Sequence, residues 1–157
     1  MNHESIFSLG VCIDQTYIFA FLFDQDKTQV FTKQIVLDYP LTPGLVTITI
    51  CELIELIDPY MKSHVLGIAV NGKVDSESQI GNSINSSLDW IDVPLAQWIG
   101  PRLKRKVFVC NYKICKGFIH PNYFLHFSKN RSLPLAFGAA CFALESFSRL
   151  NASSQAR

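Results

Sequence analysis

Polar side chains at one strand-to-helix junction are the first residues that could do chemistry. Residues 106–110 (KVFVC) predict a buried strand, and residues 112–118 predict one or two helical turns. Asn111 and Tyr112 fall at the junction between them. Ligands of α/β enzymes bind at the carboxyl ends of strands, where a carboxylate often serves as the catalytic base. Here that position carries a tyrosine, and a hydroxyl with an ordinary pKa of about 10 is a poor base at neutral pH.

Two histidines and two cysteines near this junction could be drawn as a metal site. His120 and His126, with Cys110 and Cys115, have no recognisable ligand spacing, so we expect no metal and no cofactor. The chain has five cysteines, an odd and scattered set without paired CxxC motifs, and most lie in apolar runs. This pattern is typical of free buried thiols in a reducing cytoplasm. The five are Cys12, Cys51, Cys110, Cys115 and Cys141.

The elements that must position the junction follow from hydrophobic patterning. Three apolar runs joined by tight turns predict an antiparallel meander over residues 6–13, 17–23 and 29–37. Helical periodicity predicts a helix over about 44–57, and an apolar strand over 64–70 then ends at the turn signal Asn71-Gly72. The remaining predictions are a polar loop (74–87), a helix with Leu95, Trp98 and Ile99 inward (93–105), and a last helix capped by Ser132 that ends near Leu150.

This order of elements is that of a ribonuclease-H-like, actin-like ATPase half-domain, which belongs to the α/β class. It predicts a mixed sheet of about five strands with flanking helices, in which the later strands join in parallel through crossovers. A chain of 157 residues is long enough to bury one substantial core. We predict a single domain over residues 1–150, with its closing helix over 133–150, and a frayed tail over 151–157.

The N-terminal half carries motifs that resemble the ROK family of repressors and sugar kinases. Residues 9–18 (LGVCIDQTYI), followed by LFD at 22–24, are similar to the family pattern LGxDxGGTxxxxxLxD. Residues 66–75 (LGIAVNGKVD) are similar to its GIGIxxPGxVD. The two motifs occur in the family's order and at family-like spacing.

The resemblance continues over the rest of the chain. NSIN at residues 82–85 and WIDVPL at 90–95 are similar to NSPN…GWxDVPL, and VFVCNY at 107–112 falls on VxVENDAN. Residues 135–145 (LAFGAACFALE) look like the helix that closes a full-length ROK chain. The resemblance thus implies a first ROK lobe, matched over about residues 6–118, plus the closing helix. It also implies that the second lobe, with its nucleotide contacts and zinc motif, is missing.

Three departures from the ROK motifs imply that the kinase chemistry is lost. Cys12 replaces an aspartate that helps to hold magnesium, and Tyr112 replaces the catalytic base. The Gly-Gly-Thr phosphate turn of the family is Asp14-Gln15-Thr16, a degenerate phosphate loop with a carboxylate where phosphate should lie. We therefore expect no catalytic residue. Loss of a general base alone typically costs a factor of about 10²–10⁴ in rate.

Sugar-binding positions of the family are partly retained, so the resemblance implies a degenerate sugar site at Gly72, Asn85, Asn111 and Tyr112. Each has a purely structural alternative. Asn111 could cap the following helix, Asn85 could be an ordinary loop residue and Gly72 a turn residue.

The charge distribution and the apolar surface bear on partners. Net charge is +1, but every charged residue from 102 to 131 is basic, which fits a solvated face or a phosphate-binding or nucleic-acid surface. The aromatic stretch at 118–127 and the exposed inter-lobe surface favour a homodimer or a partner protein. Because the first strand begins at residue 6, we expect no winged helix ahead of it and no direct DNA binding. No signal peptide or membrane span is predicted either.

Three hypotheses follow from these observations. The first is a catalytically inactive, cytoplasmic ROK-like domain that acts by binding in sugar-linked regulation, through a protein partner or a homodimer, with a sugar as the candidate ligand. The second is a sugar kinase lobe completed by another chain. The third is a folded remnant without function.

Overall fold

A mixed five-stranded sheet forms the centre of the protein in a computed structural model. The structure describes residues 7–24, 30–37, 41–75, 80–82, 90–119 and 132–155. The strands of this sheet are β1 (Phe7–Ile13), β2 (Tyr17–Asp24), β3 (Val30–Val36), β4 (Val65–Val70) and β7 (Lys106–Asn111). They lie in the order β3-β2-β1-β4-β7.

The directions of the strands are those predicted. β1, β2 and β3 pair antiparallel, whereas β4 pairs parallel with both β1 and β7. The central strands β1, β2 and β4 are buried along nearly their whole length, as their continuous apolar runs predict. The predicted half-domain architecture is confirmed, and it brings the carboxyl ends of β1, β4 and β7 to one edge.

Two helices cover one face of the sheet. Helix α1 (Pro43–Ile57) is capped by Thr42, whose hydroxyl accepts from the backbone N–H of Leu45, and α2 (Leu95–Leu103) packs beside it. Trp90 is fully buried in this layer, and its indole N–H donates to the carbonyl of Leu41 at 2.6 Å.

A single long helix covers the other face. The short helix α3 (Tyr112–Gly117) follows β7, and α4 (Ser132–Gln155) lies across β1 and β4. Gly10 and Gly67 are register partners on these strands and form a shallow groove. A Cβ on Gly10 would lie 1.8 Å from the carbonyl oxygen of Ala136, and one on Gly67 would lie 1.9 Å from that of Ala139. The helix therefore rests backbone against backbone on the sheet.

A buried ion pair joins three elements at the end of the sheet that is opposite the carboxyl ends of β1, β4 and β7. The guanidinium of Arg105 donates to a carboxylate oxygen of Asp58 at 3.2 Å, and both side chains are almost fully buried. It also donates to the carbonyls of Ser63, Leu103 and Asp58. The Asp58 carboxylate accepts from the backbone N–H groups of Lys62 and Ser63. This network ties the end of α1 and the end of α2 to the start of β4.

Three predictions about local structure differ from what is observed. The polar stretch after β4 contains a small hairpin, β5 (Lys73–Asp75) with β6 (Ile80–Asn82), rather than only loop. Trp98 is 45% exposed, because the buried stripe of α2 runs through Leu95, Ile99 and Leu103. Helix α4 continues to Gln155 instead of ending near residue 150. Within the described ranges, no helix is long and apolar enough to cross a membrane.

The prediction that all cysteines are free was wrong for one pair. Cys110, at the end of β7, forms a disulfide with Cys115 in α3, with their Cα atoms 6.4 Å apart. Cys12 and Cys51 are buried free thiols, and Cys141 is a partly exposed one. Burial raises the pKa of the Cys51 thiol; Arg102 opposes this shift, whereas Glu55 and Glu52 add to it. Cys51 is therefore protonated and unreactive at neutral pH.

Thiol counting tests this assignment. Under non-reducing denaturing conditions, we expect three thiols to react with a disulfide reagent, and five after reduction, because one bridge holds two sulfurs. In the native chain, Cys141 should react first and Cys51 slowly, since thiolate is the reactive species. Five reactive thiols before reduction would contradict the bridge.

Candidate functional site

The candidate site lies where the carboxyl ends of three strands meet. The turn after β1 holds Asp14, Gln15 and Thr16, the turn after β4 holds Gly72, and the junction after β7 holds Asn111 and Tyr112. These residues are far apart in sequence, and the parallel pairing of β1, β4 and β7 brings them to one edge. Asn85 lies outside the described residues.

The hydroxyl of Tyr112 is engaged by the protein itself. It donates to the carbonyl of Ile13 at 2.5 Å, and the thiol of Cys12 donates to the Tyr112 hydroxyl oxygen at 3.6 Å. This bond links the start of α3 to the end of β1, across the intervening strand β4. Tyr112 therefore acts here as a hydrogen-bonded tie between strand ends, at the position where a base would have to face a substrate hydroxyl.

Asn111 serves as a helix cap. Its side-chain oxygen accepts from the backbone N–H of Ile114 at 2.8 Å, which is the N-cap bond of α3. The structural alternative for this residue is thus confirmed. The cap engages the oxygen of the amide, while the amide nitrogen is the atom through which Asn111 can donate to a ligand.

The turn between β1 and β2 is closed by its own hydrogen bonds. The backbone N–H of Asp14 donates to the carbonyl of Tyr17, and the N–H of Gln15 donates to the Asp14 carboxylate at 2.7 Å. The carbonyl of Thr16 accepts from the backbone N–H of Leu37, the residue that follows β3. A phosphate loop must direct its N–H groups toward the anion. Here two of those groups are paired within the turn, and the Asp14 carboxylate occupies the space beside them.

The layer beneath the site is apolar. Cys12, Ala69 and Cys110 lie on adjacent strands facing α4, and the Cys110–Cys115 bridge flanks Asn111 and Tyr112. Among the residues that the structure describes, no three histidine, cysteine or carboxylate side chains converge to hold a metal ion. His120 and His126 lie outside that part of the chain.

Two contacts at the site were missed by sequence reasoning. The first is the bond from Tyr112 to Ile13, which joins residues 99 positions apart and has no local signal. The second is the disulfide, for which a signal existed: Cys110 and Cys115 bracket a strand-to-helix junction, a geometry that brings side chains at both ends together.

The strand order and the flanking helices define a fold, that of an actin-like half-domain. No family model matches the sequence, and no curated protein matches it. Solved structures do match in fold, and among them are sugar kinases, one described as a ROK-family glucokinase, and a ROK transcriptional regulator.

Three of these structures illustrate the likeness. The inorganic polyphosphate/ATP-glucomannokinase of an Arthrobacter species has a TM-score of 0.59 at 18% identity, over 71% of this chain and 46% of that one. A ROK-family glucokinase from Streptomyces griseus, in complex with glucose and AMPPNP, has a TM-score of 0.58 at 22% identity. The match covers 71% of this chain and 35% of that one. A ROK regulator homologous to the E. coli MLC protein has a TM-score of 0.57 at 17% identity. The match covers 71% of this chain and 29% of that one.

These comparisons establish the fold. The protein has a partial ROK sugar-kinase fold of the actin-like type, as its motifs predicted. The chain spans less than half the length of each of these three structures.

Proposed function

We propose that this chain is a catalytically inactive ROK-like domain that acts by binding, in sugar-linked regulation through a protein partner or a homodimer. The observation that carries the proposal is the hydrogen bond from Tyr112 to the carbonyl of Ile13. A group that donates its only proton to the main chain of its own fold is not placed to accept a proton from a sugar hydroxyl.

The closed turn after β1 supports the same conclusion independently. Phosphoryl transfer relies on positioning and electrostatic stabilisation of the phosphates. The N–H groups of Asp14 and Gln15 are paired internally, and a carboxylate adds negative charge where the phosphates would have to lie. Restoring a base at position 112 would therefore not restore transfer.

A binding role needs fewer polar groups in place than catalysis does. The amide nitrogen of Asn111 and the polar turn at Gly72 still lie at the edge of the sheet where the resemblance places a sugar. A ligand held there would contact α3 and the β4–β5 turn. Such a ligand could bias the surface that a partner, or a second copy of the chain, recognises.

A phosphoryl-transfer assay tests the loss of catalysis. We expect no sugar-dependent turnover of ATP with a panel of hexoses and amino sugars, either for the natural chain or for Tyr112→Asp, because the phosphate turn remains closed in both. Sugar-dependent turnover that Tyr112→Phe abolishes would contradict the proposal and favour the alternative of a kinase lobe completed by a second chain.

Tyr112→Phe also measures the structural role of the hydroxyl. The change leaves the carbonyl of Ile13 without this donor, so we expect a loss of about 1 kcal/mol in the free energy of unfolding, measured by urea denaturation. The exposed Tyr60→Phe variant is the matched control and should be neutral. An unchanged stability for Tyr112→Phe would mean that the bond is not a tie, and would remove the observation on which the proposal rests.

A further inference from the structure

A second concave site lies at the opposite end of the sheet. A cavity of about 570 Å³ opens between α2, the amino ends of β4 and β7, and the later part of α4. His64 and Lys106 stand at the two strand starts, and the backbone N–H of Lys106 donates to the carbonyl of His64. Since β7 is six residues long, this cavity is roughly 17 Å from Asn111 at the other end of the strand.

The residues that line this cavity include three cations, Lys104, Arg105 and Lys106, although Lys104 and Arg105 also line an adjoining pocket that contains Glu55 and Asp58. Lys104 and Lys106 are exposed at its rim, and the residues that line it include no carboxylate. Arg105 also lines it, but its charge is balanced by Asp58. On α4, Glu145 forms an ion pair with Arg149 and points about 200° around the helix from Phe147, which faces the cavity. The two lysines therefore face the cavity without a carboxylate in its lining.

The backbone of Lys104 provides an independent observation. This residue follows α2 in the left-handed conformation, with φ of 56°, and its N–H donates back into the last turn of the helix. Glycine or asparagine is usual at such a position, because a side chain with a Cβ is strained there. Lysine is therefore an uncommon residue here, as Met61 and Asp92 are at their own left-handed positions, and its charge is favourable beside the last carbonyls of α2.

The floor of the cavity is apolar. Ala96, Val107 and Phe147 contribute to its lining, together with the two lysines. A cationic rim above an apolar floor suits an anion that carries an organic body, whereas a bare inorganic ion would gain nothing from the floor.

We propose that this cavity binds a small phosphate-bearing anion with an organic body, held by Lys104 and Lys106 with His64 as an additional polar group. The site is separate from the carboxyl-edge site, and it stands whether or not the proposed loss of catalysis is correct. The cavity volume is within the range of small-molecule sites, about 300–1,000 Å³.

Thermal unfolding of the purified chain tests this proposal with ADP and inorganic pyrophosphate as probes, against sodium chloride at matched ionic strength. We expect both probes to raise Tm, by about 5–10 °C at one hundred times Kd, with the larger rise for ADP at equal concentration. Sodium chloride should reproduce little of the rise. An equal rise with salt would overturn the site, and a rise for ADP no larger than that for pyrophosphate would overturn the role of the apolar floor.

Two double variants locate the effect. Lys104→Asn with Lys106→Gln should abolish the rise, and Lys104→Asn alone should keep or increase the basal Tm, because asparagine tolerates the left-handed conformation. Lys33→Gln with Lys116→Gln removes the same number of charges from exposed positions elsewhere and should keep the full rise. Equal rises in the two double variants would overturn the proposal, since binding would then reflect net charge.

Discussion

Gly10→Ala is expected to destabilise the protein by about 3 kcal/mol or to prevent folding. The added methyl would lie 1.8 Å from the carbonyl oxygen of Ala136, so α4 must move away from the sheet. The obstacle is main chain rather than the end of a flexible side chain, and the neighbouring strand offers no room. Urea denaturation followed by circular dichroism measures the loss.

Gly67→Ala should behave in the same way, because its methyl would lie 1.9 Å from the carbonyl oxygen of Ala139. Gly44→Ala is the matched control. No atom lies within 4 Å of a Cβ there, and the position is helical, so we expect a neutral or slightly stabilising change of roughly 0.5–1 kcal/mol. If Gly10→Ala were as stable as Gly44→Ala, α4 could not lie on the sheet as described.

Arg105→Met is expected to cost about 3–5 kcal/mol in the free energy of unfolding. Methionine fills much of the same volume, but it leaves the Asp58 carboxylate buried without its countercharge. The carbonyls of Ser63, Leu103 and Asp58 lose donors as well. Arg105→Lys should restore only part of the loss, because an ammonium group cannot reproduce the planar fork of a guanidinium.

Arg149→Met gives the matched control for this change. The same substitution there breaks an exposed ion pair with Glu145, one turn away on α4, and such pairs contribute little. We expect a change within about 0.5 kcal/mol. Equal effects at the two arginines would contradict the buried network. If the Arg105→Met variant kept its full stability, the Asp58 carboxylate would have to find another partner.

The sheet and its main helices could be predicted from the sequence because their signals are local. Continuous apolar runs specify β1, β2 and β4, and Thr42 and Asn111 occupy cap positions that mark helix starts. The β5–β6 hairpin has strands of three residues with little apolar content, so no period was visible. Trp98 was misplaced because a four-residue spacing from Leu95 to Ile99 to Leu103 sets the buried stripe.

The candidate site was predictable in position but less so in detail. The resemblance of the motifs implied one ligand site that includes Asp14, Gly72, Asn111 and Tyr112, and the parallel pairing of β1, β4 and β7 brings the strand ends that carry them to one edge. What each group bonds to could not be read from the sequence. The Tyr112 hydroxyl finds a carbonyl 99 residues away, and only the three-dimensional register of β1, β4 and β7 determines that distance.

The close packing of α4 against α3 has a consequence for how such a fold can be enlarged. A Cβ on Gly138 would lie 2.2 Å from the carbonyl oxygen of Cys115, so the end of one helix and the start of the next are in direct contact. The described parts of the chain on either side of residues 120–131 therefore lie close together. A segment of almost any length can be inserted between two such adjacent ends at a small entropic cost, since doubling a loop costs only about 0.6 kcal/mol. The connection between α3 and α4 is therefore a position where a whole additional domain could be gained or lost while the sheet and its covering helix stay intact.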